Sequence, residues 1–335
     1  MKKMIVLLCM ILVIMTGCQP KTDPTPVSDT YFALGTVVTI TLYDGSSHDL
    51  IDQCFTEITR LENLLSKSIE GSDIYLVNQH AGISETVVSP ETMEVIKKGI
   101  EYGTLSDGAF DISIGPLVNL WKIGEEGAKV PAQTEIDQAL MHIDYRDIII
   151  DNAKNSVFLP YEGMVIDLGG IAKGYIADKV AALLDENGCN SALINLGGNV
   201  LTVGIKPTKE LWKIGIQDPM SNRGDYLAIV DVGVKSVVTS GIYERFFIEN
   251  GIRYHHILNP FTGYPYESDI TGVSIISDKS VDGDALSTTC FALSIEKAMA
   301  LIETLPDTEA VFVNQSGEIF KTSGIGNTVP FTQLY

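Results

Sequence analysis

Along "DLIDQCFTEITRLENLLS" (49–66) apolar side chains return every three or four positions, at Leu50, Ile51, Cys54, Phe55, Ile58, Leu61, Leu64 and Leu65. That period predicts an amphipathic helix. A second helix is expected over 89–105, where "SPETMEVIKKGIEYGTL" opens on Ser-Pro, a helix start signal. A short one is expected in "GPLVNLWKIG" (115–124). The β-branched and aromatic run "YFALGTVVTITLY" (31–43) predicts one strand. From about 144 the texture changes. "RDIIIDNAKNSVFL" (146–159) predicts a hairpin, "MVIDLGG" (164–170) a strand running into a helix over 171–188, and "SALINLGGNVLTVG" (191–204) another hairpin with a Gly-rich turn. Strands are expected at 211–217, 226–232, 235–239, 243–248, 254–258 and 270–277, then a helix at about 284–304 and a last strand, "EAVFV". A sheet-rich centre with helices around it places the chain in the α/β to α+β class, as one unit or two subdomains.

Composition changes this picture mainly at the N-terminus. "MKKMIVLLCMILVIMTGCQP" has two lysines, an apolar run from Met4 to Met15, and small Thr16 and Gly17 directly before Cys18. Residues 1–17 read as a signal peptide, and the cysteine after "TG" resembles a bacterial lipobox, in which Cys18 is lipidated and becomes the first mature residue. The Pro-, Thr- and Asp-rich stretch 18–30 suits a tether, so the folded domain is expected over 31–335. The protein would then be exported and anchored in the membrane through lipid. Its formal net charge is −20, and losing Lys2 and Lys3 with the signal takes it to −22. No basic run is interleaved with aromatics, which argues against a nucleic-acid partner. Cys54, Cys189 and Cys290 remain, too far apart for a disulfide framework or a zinc cluster.

Four stretches carry candidate chemistry. In "VDGDALSTTC" (281–290), Asp284, Ser287 and Thr288 lie at i, i+3 and i+4, so a helix puts their oxygens on one face, where a hard cation could sit. Asp284 could equally be the helix N-cap. In "VIDLGGIAKGYIAD" (165–178) an acid, Asp167, precedes a Gly-Gly turn and a helix with Lys173 in its first turns, a shape that can approach phosphate. It lacks the spacing of a Walker A loop or a Rossmann turn. "GAFDISIGPLVNLW" sets Phe110 and Asp111 among small residues, which suits either a flat heterocycle or ordinary core. In "YHHILNPFTGYPYE" His255 and His256 adjoin on an expected strand, so only one can face a given site.

Taken in order, "GAFDISIGPLVNLW", "IDLGGIAKGYIAD", "NLGGN", "TSGIYERFF", "HHILNPFTGYP" and "DGDALSTTCFALS" resemble the ApbE family of FAD:protein FMN transferases over nearly the whole chain from Tyr31. The resemblance implies an ApbE-like, T-fold-like unit that splits FAD at its pyrophosphate and attaches FMN through a phosphoester to a Thr or Ser of an acceptor protein, such as a membrane redox subunit, releasing AMP. It implies Mg²⁺ held by Asp284 and Thr288, with Ser287 where some members have Asp and the carbonyl near Gly170 completing the set. Ala109, Phe110 and Asp111 match a flavin- or adenine-contacting segment. Asp167, Lys173 and Leu258 match further FAD contacts, Leu34 stands where many members have Met, and His256 matches the reactive-centre histidine. Two rivals stay open: a FAD pyrophosphatase with water as acceptor, and a flavin-binding lipoprotein without chemistry. The binder would need neither the oxygen face at 284–288 nor His256.

Overall fold

The computed structural model describes residues 25–222 and 224–335. The expected signal peptide and Cys18 lie outside the described residues. In chain order the elements are β1 (Val27–Ala33), β2 (Thr36–Leu42), α1 (His48–Leu65), α2 (Asp73–Gln79), β3 (Thr86–Val87), α3 (Pro90–Leu105), α4 (Gly115–Trp121) and α5 (Gln133–Leu140). Then come β4 (Ile149–Asp151), β5 (Ser156–Phe158), α6 (Ala172–Glu186), β6 (Ser191–Leu196), β7 (Asn199–Gly204), β8 (Trp212–Gln217) and β9 (Tyr226–Val232). The last are β10 (Ser236–Gly241), β11 (Phe246–Glu249), β12 (Ile252–His255), β13 (Ile270–Ser277), α7 (Ser280–Phe291), α8 (Ile295–Ile302), β14 (Glu309–Asn314), β15 (Ile319–Lys321) and β16 (Phe331–Gln333).

An eight-stranded antiparallel sheet, ordered β1-β2-β6-β7-β10-β13-β14-β15, forms the centre. Its central strands, β13 above all, are buried on both faces because both are covered, while edge strand β1 stays largely exposed. Ile194, Val273 and Ile275 pack with α1, α6 and α7 in one core, while Val237, Ile276 and Val311 pack on the other side against the three-stranded sheet β16-β9-β8. A third small core around Leu117, Trp121 and Ile136 joins α4 and α5 to the β11–β12 hairpin. Helix α7 is buried nearly all round, from Val281 through Ala285 and Leu286 to Phe291, and such a helix belongs in the middle of a core. It rests on β10 and β13, with α6 beside it.

Several expectations are corrected. The single strand over 31–43 is a hairpin, turned at Leu34 (φ 55°) and Gly35 (φ 65°), two successive left-handed residues of the kind a tight hairpin requires. Because β1 begins at Val27, residues 27–30 belong to the fold and not to the tether. The stretch 164–170 is extended but joins no ladder beyond one bridge between Val165 and Ile114. The helix expected at 284–304 is two helices, broken where Ser294 caps α8 through the Lys297 N–H. Helices α2 and α5 are additional.

Candidate active site

The site is built on the seam between α6 and α7. A Cβ at Gly174 would lie 2.2 Å from the Ser280 carbonyl oxygen, so the two helices meet backbone to backbone there. This close approach seats Asp284, 2% exposed, against the first turn of α6. Its Oδ2 accepts the Gly174 N–H at 2.9 Å, and its Oδ1 lies 3.2 Å from Lys173 Nζ. Asp282 faces away: its Oδ1 accepts from the Tyr102 hydroxyl at 2.8 Å and pairs with Lys98 at 3.0 Å. Of the two neighbouring acids, only Asp284 is at the seam.

Asp284 is not the N-cap of its own helix. Helix α7 starts at Ser280, and its free N–H groups at Ser280 and Val281 are taken at 2.8 and 3.0 Å by the carboxylate of Asp178 on α6. Burial pushes the Asp178 pKa up, against those two donors.

One turn beyond Asp284, half-buried Thr288 meets the Gly-Gly turn: a Cβ at Gly170 would lie 3.4 Å from Thr288 Oγ1 and 3.1 Å from the Phe110 ring. Gly170, Thr288, Phe110 and Asp284 therefore share a corner, which a side chain at 170 would crowd. Ser287 is turned elsewhere. Fully buried, it donates to the Asp284 main-chain oxygen at 2.8 Å and shares a 2.7 Å hydrogen bond with Ser240 on β10.

Asp167 sits ahead of the turn, its Oδ1 accepting from the Gly169 N–H at 2.8 Å and its Oδ2 3.2 Å from Lys67 Nζ. Lys67, which also donates to Asn119, escapes sequence reasoning because nothing near it in the chain hints at so distant a partner. Phe110 is 4% exposed and packs edge-to-face on Tyr102. Its neighbour Ala109 offers a carbonyl to the Tyr266 hydroxyl at 3.0 Å. Asp111 spends its oxygens on the Ser113 N–H and hydroxyl and the Tyr145 N–H, and burial pushes its pKa up. Leu258 is core, packed with Leu117, Trp121 and Ile136. Leu34 is at the β1–β2 turn, its N–H bound to Glu62 Oε1 at 2.9 Å.

The two histidines have different surroundings, but not through strand alternation, because β12 ends at His255 and His256 lies beyond it. His255, 7% exposed, is structural: Nε2 donates to the Tyr266 carbonyl at 2.9 Å and Nδ1 accepts the Ile257 N–H at 3.3 Å. His256 follows the end of β12, with its N–H and its ring Nδ1 on one carbonyl, that of Arg245, at 3.1 and 3.2 Å. A carbonyl only accepts, so Nδ1 carries the proton and the Nε2 lone pair is left available. Desolvation, helped by the charges of Arg245 and Lys173, pushes the His256 pKa down to about 4, so the ring is neutral at pH 7. Lys173, the lysine of the seam, is thus among the charges that act on the His256 ring. The Arg245 side chain runs past Gly124 to the β1–β2 turn, its Nη2 3.4 Å from the Cβ position of Gly35, and so ties the Leu34 turn to the His256 segment.

The residues present are one neutral imidazole and a corner of hard oxygens, a lysine and an aromatic ring. The sequence model of the ApbE family matches residues 34–312. The chain belongs to the ApbE family. Among curated ApbE-type relatives, "FAD:protein FMN transferase" of Klebsiella pneumoniae is 38% identical, over 87% of this chain and 90% of that one. The protein of the same name from Treponema pallidum is 35% identical, over 88% and 86%. The crystal structure of the ApbE protein of Thermotoga maritima superposes with a TM-score of 0.81 at 32% identity, covering 89% of this chain and 97% of that one. The flavin transferase ApbE of Vibrio cholerae gives 0.80 at 26% identity, with the same coverage. The ApbE fold expected from the motifs is thus the fold observed.

Proposed function

We propose that this ApbE-family flavin transferase moves the FMN half of FAD onto a Ser or Thr hydroxyl of an acceptor protein, forming a phosphoester and releasing AMP. The observation that carries the reading is the neutral His256, its Nδ1 held by the Arg245 carbonyl and its Nε2 unengaged, with the charge of Lys173 from the seam acting on the ring. A hydroxyl is a poor nucleophile and needs a base within reach. The acceptor oxygen bonds to the FMN-side phosphorus while its proton passes to Nε2. The bond from that phosphorus to the bridging oxygen breaks, and AMP leaves with the electron pair. Lys173, near the Gly-Gly turn, offsets phosphate charge.

One carboxylate with hydroxyl and carbonyl oxygens is a donor set suited to Mg²⁺, which keeps places for water and substrate phosphates. Asp284, Thr288 and the Gly170 carbonyl would hold it, whereas Ser287, committed to Ser240, would brace the corner from behind. When bound, the ion would polarise the phosphoryl oxygens and neutralise their charge.

The deciding experiment measures AMP by chromatography after incubation with FAD and Mg²⁺, with and without an acceptor carrying a reactive Thr. Acceptor-dependent AMP supports transfer. Equal AMP without acceptor, and no flavin on protein, would make the chain a FAD pyrophosphatase. No AMP at all with tight FAD binding would make it a binder.

The apolar leader and Cys18 support an exported lipoprotein with a membrane redox subunit as acceptor. Labelling cells with a radioactive fatty acid tests this: label lost in Cys18→Ala supports the anchor, and label retained contradicts it.

A further inference from the structure

The β11–β12 ribbon pairs with no third strand, and its two faces differ. Phe247 and Tyr254 stack at 5.3 Å and turn inward onto Trp121, at 6.3 and 5.5 Å between ring centroids. Alternation puts Phe246, Ile248 and Arg253 on the other face. There Phe246 is 39% and Ile248 61% exposed, and the Arg253 guanidinium lies 4.4 Å from the Phe246 ring centroid. Arg245, also exposed, directly precedes β11, and its carbonyl is the one that holds His256. Among the described residues, Arg60 and Arg146 are paired with acids, whereas Arg245 and Arg253 form no ion pair, although Glu244 and Glu249 belong to the same segment and the chain has 43 acidic residues against 23 basic ones. Scattered exposed apolar residues are ordinary, but arginine and aromatic side chains grouped without partners are the make-up of an interface.

We propose that this face of the ribbon is where the acceptor protein docks, meeting Arg245 and Arg253 with carboxylates, and Phe246 and Ile248 with apolar side chains, near the Ser or Thr that receives FMN. The inference rests on the flavin-transferase reading and adds to it the path of the acceptor. Continuity with His256 selects this occupant. A hydroxyl that gives its proton to Nε2 must arrive at that segment, while Lys173 already meets phosphate charge at the Gly-Gly turn. Two unpaired cations on an otherwise acidic chain also give an acidic partner one place where its approach is favoured.

The test is steady-state transfer to an acceptor protein that wild type flavinylates, with KM for the acceptor and kcat read separately, FAD affinity read by flavin fluorescence and fold by Tm. The variants are Arg253→Glu, Ile248→Ser and Arg253→Glu with Arg245→Gln, and Arg60→Gln removes a paired arginine of α1 as a control for net charge. The proposal expects acceptor KM to rise about tenfold or more in Arg253→Glu and further in the double variant, with FAD affinity and Tm little changed and Arg60→Gln like wild type. Added salt should raise the wild-type KM and narrow its gap from the variants. Changing the acids that flank the acceptor's modified residue to Lys, one at a time, should rescue Arg253→Glu at one of them, which a purely structural arginine would not allow. If Ile248→Ser fails to fold, Arg253→Glu and Arg253→Gln carry the comparison. Unchanged acceptor KM in folded variants overturns the proposal, also where they lose a wild-type dimer in sedimentation, which would give the face to a second copy. A fall in FAD affinity without a change in acceptor KM overturns it as well. Wild type that flavinylates no acceptor overturns the functional reading and the proposal together, a result separable from the failure of the docking face alone.

Discussion

The α6–α7 seam and the His256 segment are held in different ways. At the seam every feature is fixed from several directions: Gly174 lets the backbones touch, Asp178 caps α7 across the gap, and Asp284 is gripped by Lys173 and a main-chain N–H. His256 hangs past a four-residue strand on a two-stranded ribbon, oriented by a single carbonyl. The difference teaches where precision is placed. The oxygens to which the proposed function gives an ion are set in rigid core, while the imidazole to which it gives the proton keeps a free nitrogen. Changes at the seam should therefore cost fold and function together, and changes at His256 should cost function alone.

The largest effect is expected from Asp284→Ala: transfer falls to background, and the orphaned Gly174 N–H costs about 1–3 kcal/mol of stability. Asp284→Asn, which can keep that hydrogen bond without the charge, separates the two losses. Stable but inactive Asn protein fits the account, and full activity in it would falsify the ion-holding role. Turnover and thermal melting read both.

His256→Ala should cut transfer by roughly 10²–10⁴-fold with Tm and FAD affinity little changed. The adjacent His255→Ala should do the reverse, losing about 1–3 kcal/mol through its two buried partners while the folded fraction still transfers FMN. Equal behaviour of the two variants in a paired assay would erase the distinction between the regions.

Gly174→Ala should destabilise by about 1–3 kcal/mol or more, because its methyl meets the Ser280 carbonyl at 2.2 Å. Activity should fall with it, since Asp284 is carried on the displaced helix. A wild-type Tm would mean the seam is looser than its geometry.

The smallest effect is on pH dependence. His256 in the folded protein titrates at about 4, below the unfolded value of about 6.5. Between those values the unfolded chain binds the extra proton, so this group's contribution falls as pH drops from about 6.5 toward 4 and is then constant. His256→Gln should flatten that part of a Tm-against-pH curve. The kcat/KM of wild type should show no step near 6.5 from this residue.

Much of the fold was legible locally. Helices α1, α3 and α6 follow from apolar period, and the β6–β7 hairpin from alternation around Gly197 and Gly198. What was not legible depends on distant partners or unmarked turns. The turn at Leu34 hides in an apolar run without Asn or Asp, and the start of α7 is set by Asp178, far back in the chain. The site motifs named Asp284, Thr288, Gly170 and Phe110, which the fold gathers, yet could not announce Lys67 as the partner of Asp167 or Ser240 as that of Ser287. Such pairings exist only once helices and sheet are stacked.

The central claim is that the two regions act on one phosphorus, and the most direct measurement is the intact mass of an acceptor protein after incubation with the enzyme, FAD and Mg²⁺. The account predicts an acceptor heavier by FMN less one water, bonded at a Ser or Thr. It predicts that product to be absent with EDTA or Asp284→Ala and strongly slowed with His256→Ala. An unmodified acceptor beside wild-type enzyme that has consumed its FAD, or the same mass gain from both variants, would contradict it.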